Sequence, residues 1–222
     1  MELYHALNRG VEKRNLFQND SDRIRFVHDM YEFNDTKPAG SVYHSFRRGD
    51  ILDLRNPDIR VRERIVDIHG WCIMGNHYHL LLSEIQEGGL RLFLRKLNVG
   101  YANYFNEKYK RVGTLFQGRT KRIRIDSDAY FLHILHYIHL NPLDFLKSAE
   151  HWRTLEVKNA KQALGHLEKY RWSSYLDYCG KKNFPSVITK ELFGDVFKNY
   201  ERTIRSYMED IELATVKPLL LE

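Results

Sequence analysis

The sequence predicts an α+β protein with an antiparallel sheet, and three observations carry that prediction. Apolar patterning runs in the order strand, helix, strand, strand, helix, strand, helix. Two strand-like runs, Ile65 to Met74 and Tyr78 to Ile85, are joined by Gly75-Asn76 and so close into an antiparallel pair. Beyond Leu146 the pattern turns mainly helical, which divides the chain into a core over 1–146 and a helical C-terminal extension over 147–222 packed on it.

Leu3 to Asn8 reads as an opening strand, closed by the turn-prone Asn8-Arg9-Gly10. Ser21 or Asp22 can cap the helix that follows, where Ile24, Val27, Met30 and Tyr31 recur at helical spacing. From Thr36 to Arg64, Pro38, Gly40, Gly49, Pro57 and many charges predict a long excursion holding at most a short hairpin. After Gly88-Gly89, a long amphipathic helix places Leu90, Phe93, Leu94, Leu97, Tyr101 and Tyr104 on one stripe, with Arg91, Arg95, Lys96 and Asn98 mostly off it. Arg119 to Ile125 alternates basic and apolar residues, as an edge strand or extended arm does. Ser127 caps the next helix, and Asn141-Pro142 ends it because the residue before proline resists the helical region. Its Phe131, Leu135 and Ile138 should face the sheet, which puts Tyr137 at the border of core and cleft. In the extension, Val157 to Glu168 and Lys190 to Asp210 are the clearest helices, with Arg171-Trp172-Ser173-Ser174-Tyr175 between them.

The net charge of +6 and pI near 9.2 suit a polyanionic partner without demanding one. Distribution says more: seven basic residues against one acid lie between Glu107 and Arg124, interleaved with Tyr109 and Phe116. Such a run is either a solvated face or a grip on single-stranded nucleic acid, where stacking joins phosphate contact. Arg119, Lys121, Arg122 and Arg124 are the first candidates for that grip, and Arg95 and Lys96 the second. Cys72 and Cys179 are too few and too far apart for a disulfide framework. With neither a signal-peptide layout nor an apolar run of spanning length, a soluble, cytoplasmic protein is expected.

Chemistry concentrates in Asn76-His77-Tyr78-His79-Leu80, where two histidines two positions apart on a strand point the same way and can serve as paired metal ligands. A surface pair or a satisfied core pair would look the same. Downstream, a turn of about 100° per residue puts Asn141 about 40° from Tyr137 and His133 about 40° to the other side, whereas His139 falls about 160° away. An imidazole pair favours manganese, iron, cobalt, nickel, copper or zinc, and an amide oxygen from Asn141 would widen the choice to magnesium. Cys72 is a weaker candidate ligand and a natural small core residue.

Met74 to Leu82 (MGNHYHLLL) resembles the His-hydrophobic-His signature of single-strand DNA transposases that use a catalytic tyrosine, the HUH enzymes. Tyr4 to Gly10 (YHALNRG), Gly113 to Lys121 (GTLFQGRTK), Tyr137 to Pro142 (YIHLNP) and Trp172 to Tyr178 (WSSYLDY) agree with it in order, and together they resemble the REP-associated tyrosine transposases. This resemblance implies a ferredoxin-like sheet carrying the histidines, Tyr137 as nucleophile on a neighbouring helix, and His77, His79 and Asn141 as ligands of Mg or Mn. It implies cleavage and rejoining of single-stranded or hairpin DNA through a 5′-phosphotyrosine. Relatives of this kind are monomers or dimers that exchange the tyrosine helix. Thr36 to Arg64 is longer than the pattern, and nothing after Tyr178 matches it.

A free tyrosine, with its pKa near about 10, is a weak nucleophile until a cation or base helps it ionise, and His133 is a candidate for that help. Two other classes remain: a domesticated, non-cleaving binder of hairpin DNA or RNA, and a metal-dependent phosphohydrolase that uses water and leaves Tyr137 dispensable.

Overall fold

The computed structural model describes residues 1–37, 62–149, 152–154, 157 and 159–210, so most of the excursion expected over Thr36–Arg64 lies outside the described residues. Strands β1 (Leu3–Arg9), β2 (Val66–Ile73), β3 (His77–Glu84) and β4 (Lys121–Arg124) form one sheet in the order β2-β3-β1-β4. Every neighbouring pair is antiparallel. With α1 (Asp20–Glu32) after β1 and α2 (Gly89–Lys108) after β3, the path is βαββαβ, the ferredoxin-like connection.

Strand side chains alternate between two faces, and each face has its own core. One carries Ala6, Ile68, Trp71, Tyr78, Leu80 and Leu82, and buries them under α1 and α2 with Phe26, Met30, Phe93, Leu97 and Tyr101. The other carries Leu3, Cys72 and Leu81 beneath α3 (Asp128–Leu140), whose Ile134, Leu135 and Ile138 point down at it. Gly70 is what lets α3 come close: a Cβ there would stand 2.8 Å from Leu135 Cδ1. Phe131 is half-buried against the same core and stacks on Phe193 at 4.7 Å.

The α1 cap is Asn19, not Ser21 or Asp22. Asn19 has extended backbone, and its side chain accepts from the Asp22 N–H at 3.2 Å. Asp22 is instead the third residue of the helix and completes a capping box, its carboxylate accepting from the N–H groups of Gln18 and Asn19. Lys108 and Tyr109 also donate to that carboxylate, at 2.6 and 2.7 Å, and so pin the end of α2 to the start of α1. Ser127 caps α3 as expected, accepting from the Tyr130 N–H at 3.3 Å, and a 3-10 turn over Asn141–Phe145 follows Leu140.

The later helices are α4 (Ala160–Lys169), α5 (Tyr175–Tyr178), α6 (Glu191–Val196) and α7 (Tyr200–Asp210). The expected helix over Lys190–Asp210 is thus two, because Asn199 interrupts it and caps α7 by accepting from the Arg202 N–H at 3.1 Å. The Arg171–Tyr175 segment runs along the outer edge of β2, where Ile73 donates to the Trp172 carbonyl at 2.9 Å and Ser174 to that of Trp71 at 3.0 Å. An edge that would otherwise offer bare backbone groups is thereby covered.

Behind α3 these later segments enclose a second polar cluster. The Tyr200 hydroxyl meets Nδ1 of both His136 and His139, at 3.1 and 2.7 Å, and His139 Nε2 meets Ser174 Oγ at 2.7 Å. Burial holds the His136 pKa down at about 3 and that of His139 well below the usual imidazole range, so both rings are neutral at pH 7.

Candidate active site

His77 and His79 open β3, and the Tyr78 between them faces the opposite core, where its hydroxyl donates to Asn98 at 2.7 Å. The two imidazoles stand 5.0 Å apart, centroid to centroid, with planes at 81°. His77 Nδ1 lies 2.7 Å from Asn76 Oδ1, and Asn76 Nδ2 donates to the Lys13 carbonyl. That second bond settles which end of the amide is oxygen. An amide oxygen only accepts, so the His77 Nδ1 that faces it carries a proton.

His5 is a third imidazole at this place, and the sequence argument missed it. In the β1–β3 register Leu7 lies opposite His79 and His5 opposite Leu81, which puts His5 diagonal to His79 on the same face. The chain brings His5 Nε2 to 3.0 Å from His79 Nδ1, and both rings are fully buried. The only signal was its place in Tyr4–Gly10, since pairing between strands 74 residues apart cannot be read from one sequence.

From the facing helix, Tyr137 sets its ring edge-on against His79 at 5.7 Å and His5 at 5.9 Å. It does not sit at the border of core and cleft as expected. Only 3% of it is exposed, because Trp152 packs over it at 5.7 Å. Trp152 is held in turn by its indole N–H donating to Asp144 at 2.6 Å, and Arg153 pairs with the same carboxylate.

Asn141 is buried beneath Arg153, one turn beyond Tyr137. Its Nδ2 donates to the Tyr137 carbonyl at 2.8 Å and its Oδ1 accepts from Arg153 at 3.1 Å. The amide therefore closes the end of α3, and its oxygen has one lone pair left for any further role. His133 is half-buried with its ring 5.4 Å from Tyr207, and burial lowers its pKa. His139 points away from Tyr137 to Tyr200 and Ser174, as the helical wheel predicts.

As a metal site this donor set rests on the Nε2 atoms of His77 and His79. No three His, Cys, Asp or Glu side chains converge as a metal cluster among the described residues. His5 does not make a third ligand, because its Nε2 is turned to His79. Two imidazoles suit a borderline divalent ion, with further positions left to oxygen donors.

The basic candidates divide. Lys121, opposite Leu7, shares the histidine face of the sheet, and with Asn8, Arg9, Gln117, Gly118 and Arg119 it lines a pocket of about 370 Å³. Arg122 and Arg124 fall on the other face of the edge strand, and Arg124 pairs with Glu2 at 2.9 Å. Arg95 is exposed on α2. Lys96 donates to the carbonyls of Asp35 and Lys37, at 2.6 and 3.3 Å. Tyr109 and Phe116 are half-buried: one is bound to Asp22 and packed on Phe105 at 4.6 Å, the other lies against Tyr78 at 6.2 Å.

No protein-family model matches the chain, and no curated protein matches it. Among solved structures it is similar to a REP-associated tyrosine transposase bound to a REP hairpin, with 12% identity and a TM-score of 0.44 over 85% of this chain and 84% of that one. A likeness so distant carries no weight for the chemistry, which rests on the residues themselves. No described helix is long and apolar enough to cross a membrane.

Proposed function

We propose that the protein cleaves and rejoins single-stranded DNA, with Tyr137 as nucleophile and His77 and His79 holding a divalent metal, Mn or Mg. One observation carries this reading: Tyr137, 58 residues beyond His79 in the chain, meets it ring to ring at 5.7 Å. In the reaction the Tyr137 oxygen forms a bond to phosphorus as the bond to the 3′ oxygen breaks. The phenol gives up its proton, the departing 3′ oxygen takes one up, and the products are a 5′-phosphotyrosine and a 3′-hydroxyl. Attack by a 3′-hydroxyl reverses the step and joins strands. When bound, the metal supplies positive charge to the scissile phosphate and to the phenolate that forms. Asn141 holds the backbone of Tyr137 in place, and its remaining lone pair is the third ligand we assign. We assign Arg119 and Lys121, which line one pocket, to hold the strand, and Arg122, Arg124 and Arg95 to its outer contacts. Hairpin DNA, the substrate class that the sequence motifs imply, is the first to try.

The burial of Tyr137, 3% exposed with Trp152 packed on its ring, favours a second reading, a hairpin DNA or RNA binder that does not cut, since a buried phenol does not meet a phosphate. Incubating the protein with end-labelled hairpin DNA and Mn or Mg separates the two. A cleaving enzyme leaves a denaturation-resistant protein–DNA adduct that Tyr137→Phe abolishes. A binder retards the DNA and leaves no adduct, and a water-using hydrolase cuts without attachment.

A further inference from the structure

We propose that His5 is a positioning residue of this site: by accepting a hydrogen bond from His79 Nδ1–H, it holds the His79 Nε2 lone pair ready for a metal. The inference rests on the metal reading of His77 and His79 given above. His5 and His79 lie with ring planes only 20° apart and centroids 5.2 Å apart while their nearest nitrogens are 3.0 Å apart. That is an edge-to-edge meeting of two nearly coplanar rings, the geometry of an in-plane N–H···N bond rather than of stacked faces.

Such a bond can run in either direction. A metal on His79 Nε2 needs that nitrogen unprotonated, so the direction that serves the site has His79 Nδ1–H donating and His5 Nε2 accepting. His5 then carries its own proton on Nδ1, whose neighbour at 3.4 Å is the Tyr130 hydroxyl. The proton order is then His79 to His5 to Tyr130.

His77 reaches the same state by a shorter route, through Asn76. Two side chains on different strands thus put both site histidines in the Nδ1–H form, which places both lone pairs on Nε2. Partners that fix the tautomer of a ligating histidine also raise its basicity, and their loss weakens metal binding about 10- to 100-fold. The basic residues are absent from this relay, so DNA binding should not depend on it.

Nitrogen-15 NMR of the metal-free full chain, with manganese affinity by calorimetry, tests the proposal. Wild type should show His79 protonated on Nδ1. His5→Leu should move that proton to Nε2 and weaken manganese about tenfold or more, and His5→Gln, whose amide oxygen can accept the same bond, should restore both. Tyr130→Phe keeps both imidazoles in the core and provides a second route should His5→Leu not fold; it should shift His79 part of the way. An unchanged His79 tautomer in these variants, or a shifted tautomer with unchanged manganese affinity, would overturn the role of His5. Wild-type protein that shows the Nδ1–H form and yet takes up no manganese would overturn the metal reading instead, with the His5 bond intact.

Discussion

Two histidine–tyrosine clusters flank α3, and their difference teaches how a site is told from a core. On one side His5 and His79 meet Tyr137, with His77 beside His79; on the other His136 and His139 meet Tyr200 and Ser174. Both are buried, and both join imidazole to phenol. In the second cluster His139 has each ring nitrogen on a hydroxyl, one of which also accepts from the Trp71 backbone N–H, so its polarity is consumed in tying α3 to α7 and to the edge of β2. In the first, His77 and His79 each make a hydrogen bond at Nδ1, and Arg9, paired with His77 across the sheet, lines one pocket with Arg119 and Lys121.

The sharpest way to break this contrast is to remove one histidine from each cluster. His79→Ala should lower DNA cleavage by about 10²-fold or more in the folded protein while sparing DNA retardation, with a stability cost of about 1–3 kcal/mol because it removes a buried partner of His5. His139→Leu should cost about 2 kcal/mol in urea denaturation because it takes one buried partner from each of the Tyr200 and Ser174 hydroxyls, with cleavage by the remaining folded protein unchanged. Equal loss of cleavage in both would erase the distinction.

Next in size is the dependence on pH. The folded-state pKa of His136 is about 3 and that of His139 is well below 6.5, while each titrates near 6.5 once unfolded. Between those values the unfolded chain binds protons that the native chain refuses, so stability falls as pH drops below about 6.5, by up to about 1.4 kcal/mol per pH unit for each ring. Because His28 and Asp29 are also shifted, to about 4 and about 7, the informative quantity is the difference between wild type and His139→Leu. The variant should lose one ring's share of the slope, and identical slopes would remove His139 from the account.

The sheet, the two helices on its first face and the Ser127 cap were legible because period-2 and period-3.6 patterns and local turn chemistry record them. What escaped was whatever depends on contacts between distant segments. His5 drew no attention because its partner lies in another strand, and Tyr137 looked like a border residue because Trp152 reaches it only through the fold. The break between α6 and α7 was hidden by a run of residues all compatible with helix. The pair His77 and His79 was visible by spacing; its hydrogen bonds through Asn76 and His5 were not.

Smaller effects sharpen the comparison further. Gly70→Val would push branched atoms into Leu135, lift α3 from β2 and disturb both clusters, with a cost of about 1–3 kcal/mol by denaturation. An unaffected midpoint would mean that α3 is not seated on that glycine. Lys121→Ala should weaken single-stranded DNA binding uniformly across sequences and reduce the slope of log affinity against log salt by about 0.7. An unchanged slope would take Lys121 out of the strand's path.

The most direct measurement is to digest the covalent complex formed with hairpin DNA and manganese and to locate the attached nucleotide by mass spectrometry. The account predicts a nucleotide joined through its 5′ phosphate to the peptide that contains Tyr137, and no such peptide from His77→Ala protein. Attachment at Tyr130, Tyr200 or any other residue, or cleaved DNA with no modified peptide, would contradict it.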